Sequence, residues 1–66
     1  MKLSMKMDCL TSDMLHMLDA SLKYYDAKLS VQNTTTILEA NVSDKEYAEL
    51  MVLVSCFEPY DVQLSR

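Results

Sequence analysis

Met1-Lys2-Leu3-Ser4-Met5-Lys6-Met7-Asp8-Cys9 alternates apolar and polar side chains without a break. Successive side chains on an extended backbone leave on opposite sides, so this period of two predicts a strand with one buried face. Thr11, Ser12 and Asp13 come next and supply an N-cap and an acid for the first turn of a helix. From there Leu15, Leu18, Leu22, Tyr25 and Leu29 recur at steps of three and four, a single helical stripe. Ser12, His16, Asp19, Lys23 and Asp26 make the opposite, polar stripe, with Asp19 and Lys23 in the favourable i, i+4 order. The spacing predicts a helix over 12–28.

Ser30 to Thr36 is polar and weakly patterned and reads as a loop leading into a second strand at about 34–42. Ile37 and Leu38 are adjacent, and Leu38, Ala40 and Val42 give the better inward row. Ser43-Asp44-Lys45-Glu46 fits a capping box and opens a second helix over 44–57, which Pro59 forbids from continuing. Tyr60, Val62 and Leu64 alternate with Asp61, Gln63 and Ser65 as a short third strand, with a helical tail as the alternative. The expectation is one α+β domain, residues 1–66, in β-α-β-α-β order. It has a three-stranded sheet, parallel or mixed, and two amphipathic helices.

The chain has 66 residues, a formal charge of −4, no glycine, no tryptophan and two cysteines. Lys2, Lys6, Lys23, Lys28, Lys45 and Arg66 are scattered and form no patch, which argues against direct nucleic-acid binding. Loops that cradle phosphate need glycine for close backbone approach, and none is available. The longest apolar run, Leu50 to Val54, is far too short to span a bilayer, and Met1 to Leu10 lacks the features of a signal peptide. The expected compartment is therefore the cytoplasm. There the sequons at Asn33 and Asn41 stay unmodified and Cys9 and Cys56 are two reduced, buried thiols. So small a domain is marginal alone, and association is the commonest remedy.

Constellations for chemistry are thin. His16 has Asp13 and Asp19 at i−3 and i+3 but no further ligand, so it reads as a solvated histidine rather than a metal site. Cys9 and Cys56 read as packing residues rather than nucleophiles. Asp44, Glu46 and Glu49 suit a helix N-terminus better than a catalytic cleft. No enzyme activity, metal or cofactor is expected.

The surface is more informative. Tyr47, Leu50, Met51, Val54 and Phe57 form an ordinary core face of the second helix, yet Ala48, Val52, Leu53 and Cys56 carry apolar surface around the remaining circumference. Such a helix is either sandwiched or presents an apolar patch to a partner or a second copy. Met14, Met17, Ser21 and Tyr24 form a softer band beside the leucine stripe of the first helix. Methionine and tyrosine suit binding surfaces. The candidate partner-binding set is Met14, Met17, Tyr24, Ala48, Val52, Leu53 and Cys56. The acids are evenly spread along the sequence and serve solubility.

In size, acidity and lack of catalytic equipment the chain resembles, as a class, the small host-takeover and defence-blocking proteins of phages, anti-CRISPR proteins among them. No specific residue carries that likeness. It implies a non-enzymatic inhibitor that occupies the surface of another protein, such as a nuclease, polymerase or defence complex that handles nucleic acid. The alternatives are a structural or regulatory homodimer of antitoxin-like kind, joined through the second helix, and a nucleic-acid mimic.

Overall fold

The computed structural model describes residues 1–66. The alternating N-terminal stretch forms β1 (Lys2–Asp8), with Leu3, Met5 and Met7 buried and Lys2, Ser4, Lys6 and Asp8 on the other face. Helix α1 (Ser12–Ser21) begins at Thr11, whose hydroxyl accepts from the Met14 amide at 3.2 Å, and it ends in a 3-10 turn, Leu22–Tyr24. Two strands follow, β2 (Asp26–Gln32) and β3 (Thr35–Asn41). Helix α2 (Asp44–Val54) carries the complete capping box. The Glu46 amide donates to the Ser43 hydroxyl at 3.2 Å, and the Ser43 amide donates to the Glu46 carboxylate at 3.0 Å. A 3-10 turn, Ser55–Phe57, leads past Pro59 into β4 (Tyr60–Ser65).

All neighbouring strands are antiparallel, in the order β2-β3-β1-β4. Helix α1 joins β1 to β2 across β3, and α2 joins β3 to β4 across β1. This β-α-β-β-α-β connectivity is the ferredoxin-like, or split βαβ, arrangement. Leu18 and Leu22 from the first helical segment and Leu50 and Val54 from α2 share one core cluster with Leu3, Met5, Met7, Leu38, Ala40 and Val42. Both helices therefore cover the same face of the sheet, and the other face is open. No helix is long and apolar enough to cross a membrane.

The α+β class stands, with four strands in place of the expected three. The first helix stops at Ser21, not at 28, and the segment read as its end and the following loop is the strand β2. Tyr25 is already extended, and from it Tyr25, Ala27 and Leu29 turn to the core while Asp26, Lys28 and Ser30 turn out. Tyr25 and Leu29 satisfy the helical stripe and the strand alternation at once, so spacing alone favours the longer helix. Pairing with β3 over seven residues, from Asp26↔Asn41 to Gln32↔Thr35, decides the matter for the strand.

The cysteines also depart from expectation: both thiols are free and exposed. Cys9 takes φ 61° where the chain turns from β1 into α1, which removes it from the inward row of β1. Cys56 lies in the 3-10 turn after α2, off the core side.

With no glycine available, every left-handed turn falls on a residue with a side chain: Cys9, Asn33, Glu58 and Asp61 all have φ between 52° and 61°. Asn33 forms the turn between β2 and β3, and asparagine tolerates this region; for glutamate it costs roughly 1–2 kcal/mol. Glycine at 58 relieves that strain and adds some freedom to the unfolded chain. Glu58→Gly is therefore expected to stabilise the fold by about 0.5–1 kcal/mol. Asn33→Gly is expected to be near neutral, and thermal melts of the two variants check the contrast.

Candidate protein-binding site

The layered fold sorts charge as well as polarity. The strands carry Asp8, Asp26, Glu39 and Asp61 against Lys2, Lys6 and Lys28, close to neutral, with Lys6 paired to Asp61 at 3.3 Å. The helices and the turns flanking them carry Asp13, Asp19, Asp44, Glu46, Glu49 and Glu58 against Lys23 and Lys45. Six acids against two lysines, with Arg66 drawn to Asp44, put a net −3 on the helical side. The even spacing of acids along the sequence is thus not an even spread in space. Arg66 reaches from the end of β4 to Asp44 at 3.6 Å, an exposed pair of little energetic weight.

Within this acidic layer stand the largest exposed apolar side chains of the helices: Tyr24 is 88 % exposed, Val52 77 % and Met17 66 %. Ala48 and Cys56 are exposed with them, one turn either side of Val52, while Met14 and Leu53 are half-buried. Leu53 packs partly against the core, so it does not lie off the core side as the sequence suggested. The second helix is neither sandwiched nor bare: Leu50 and Val54 are buried, Ala48 and Val52 form its outer, solvent-facing stripe, and Cys56 in the following 3-10 turn is exposed as well.

Helical geometry relates the two bands. On α2, Glu49 and Leu53 immediately precede the core residues Leu50 and Val54, and so occupy one flank of that helix. The Tyr25 hydroxyl, at the end of the α1 segment, donates to the Glu49 carboxylate at 3.3 Å, so this flank is turned to α1. Because β1 and β3 are antiparallel and each helix returns along its strand, α1 and α2 are antiparallel as well. Antiparallel helices on one sheet face each other through equivalent flanks. On α1 the equivalent residues are Met17 and Ser21, which precede the core residues Leu18 and Leu22, with Met14 one turn before them. Helical geometry thus turns Met17 and the Leu53 flank to the same side of the helical layer, where Met17 is exposed and Leu53 half-buried.

The open sheet face offers a different surface. A shallow depression of about 540 Å³ crosses it, bordered mainly by polar residues such as Lys2, Ser4, Lys28, Glu39 and Asn41. Lys28 stands directly across from Glu39 in the β2–β3 register, so the charges there are largely matched within the sheet. Tyr60 also lies on this side, opposite Lys6, and donates to the Asp8 carboxylate at 2.9 Å. His16 is exposed on α1, and no three His, Cys, Asp or Glu side chains converge to hold a metal ion. Sequence reading passed over the exposed Tyr60, Val62 and Leu64 of β4 and Val31 of β2. The alternation of β4 was visible, and what hid the exposure was the unknown place of that strand in the sheet.

Comparison with protein-family models, with curated proteins and with solved structures finds no match to this chain.

Two phenols titrate late. Partial burial, then the Glu49 carboxylate beside it, raises Tyr25 above its ordinary value of 10.0, and the hydrogen bond to Asp8, then partial burial, does the same for Tyr60. Both groups are neutral near pH 7, and what they contribute to stability is present below pH about 10 and lost as pH rises through the folded-state values. Spectrophotometric titration is expected to resolve a late class of tyrosines, which Tyr25→Phe and Tyr60→Phe each diminish. A thiol reagent is expected to label Cys9 and Cys56 in the native protein without denaturant, as their exposure requires.

Proposed function

We propose that this chain is a small, non-enzymatic protein-binding module whose helical layer occupies the surface of another protein and thereby inhibits it. The observation that carries the reading is the coincidence of Met17, Tyr24 and Val52, all strongly exposed, with the net negative charge of the same layer. Interface energy concentrates in a few aromatic or large apolar anchors, and rim charge governs association rate and salt sensitivity. A complementary partner has an apolar recess bordered by lysine and arginine. Proteins that handle nucleic acid present such basic surfaces, in keeping with the phage-inhibitor class that the chain resembles.

The acidic layer weighs against self-association through α2, because a dimer joined there would set one net-acidic surface against another. It lends some support to a nucleic-acid mimic, and the two readings differ in which residues carry affinity. With the chain immobilised against a bacterial lysate and the retained protein then purified, Tyr24→Ala is expected to weaken binding by about 1–2 kcal/mol, with an unchanged melting temperature. Neutralising Asp13 and Asp19 is expected to slow association and leave dissociation nearly unchanged. If the acid variants abolish binding, affinity collapses with salt and Tyr24→Ala is mild, mimicry replaces the apolar-anchor reading.

A further inference from the structure

The strand β4 ends the sheet with its outer main chain unpaired, and every residue from Tyr60 to Ser65 is exposed. Its register with β1 sets Leu64 opposite the buried Leu3 and Gln63 opposite Ser4. Leu64 and Val62 therefore belong to the helix-facing row, where they remain about 40 % exposed, and Gln63 and Ser65 belong to the open face. An irregularity at Asp61, which has φ 52°, shifts the register between Ser4 and Lys6. Beyond it, Val62-Gln63-Leu64-Ser65 is a regular edge without charge, proline or bulge, the devices that ordinarily keep sheet edges apart. The opposite edge, β2, has Asp26 and Lys28 in its length.

We infer that two copies of this chain pair through β4, antiparallel about a two-fold axis at Gln63, to form one continuous eight-stranded sheet. A pairing that keeps both helical layers on the same side must align residues of like facing, so the axis passes through a residue rather than between two. Centred on Gln63, it sets Val62 and Leu64 of one copy against Leu64 and Val62 of the other, and the two Gln63 amides against each other. Asp61 falls opposite Ser65, so no like charges meet. The carboxylates that flank this edge are already paired, Asp61 with Lys6 and Asp44 of α2 with Arg66. Added main-chain hydrogen bonds and two apolar pairs are the ordinary terms of strand addition. The contact strip is short beside a standard interface of about 800 Å² per partner, so the dimer is weak and concentration-dependent.

Sedimentation equilibrium tests this directly. The wild-type chain is expected to pass from its 7.6 kDa monomer to twice that mass between micromolar and hundreds of micromolar concentration. Val62→Lys and Leu64→Lys, at positions already exposed, are expected to raise the dissociation constant at least about tenfold with the fold retained by circular dichroism. A chain that stays monomeric throughout, or a dimer indifferent to both lysines, overturns the inference. Should the lysine variants unfold, a second measurement decides. Gln63→Cys, with Cys9 and Cys56 changed to serine, places two thiols across the axis at cross-strand distance and is expected to oxidise rapidly to a disulfide dimer. Equal or faster crosslinking from Ser65→Cys in the same background would overturn the register. Val52→Glu, on the helical layer, is expected to leave the dimer unchanged, so this test stands apart from that of the proposed function.

Discussion

Burial of the inward row of β1 is the constraint on which the molecule rests. Leu3, Met5 and Met7 lie beneath both helices, and their strand is hydrogen-bonded on both sides, to β3 and to β4. Each connection in the fold exists to complete that enclosure. The crossover through α1 brings back β2 to support β3, and the crossover through α2 brings back β4 to close the far side of β1. Only ten apolar residues are buried, so little of the core is redundant. Loss of any one inward side chain of β1 opens a cavity that neighbours on three elements share.

Because the enclosure is one-sided, the protein is a two-layer body with unlike surfaces. The open sheet face balances its own charges across strands, while the helical layer concentrates acids around exposed methionine, tyrosine and valine. The first surface asks little of its surroundings beyond water. The second combines a long-range negative field with exposed apolar side chains, two features that act over different distances. That division into unlike surfaces belongs to the layout of the layers, more than to any single residue.

Much of the fold was legible where local and global preference agree. The alternation of β1, the Thr11 cap, the Ser43–Glu46 capping box and the inward row of Leu38, Ala40 and Val42 each stand as the residues imply. The strand β2 was not legible, because Leu22, Tyr25 and Leu29 fit a helix as well as Tyr25, Ala27 and Leu29 fit a strand. No glycine or proline marks the break, and long-range pairing with β3 decided it. Of the candidate surface residues, Met17, Tyr24, Ala48, Val52 and Cys56 are exposed, whereas Met14 and Leu53 are half-buried. Residues that immediately precede a core position sit on its flank, and a helical wheel drawn without its neighbours cannot say how far a second helix covers that flank. The concentration of charge was hidden for a similar reason, since it depends on which elements share a layer.

The position of β1 in the sheet bears on how the chain comes into being. Of the four strands, the first in sequence lies inside the sheet, and its two neighbours begin only at Thr35 and Tyr60. A nascent chain therefore holds Leu3, Met5 and Met7 without a sheet to enter until β3 has been made, and without full enclosure until β4 follows. Such sequence-distant pairing makes folding slow for a chain of this length and leaves little stable structure part-way through translation. The fold is therefore assembled nearly all at once, and until β4 has been made the methionine-rich β1 has no closed core to enter.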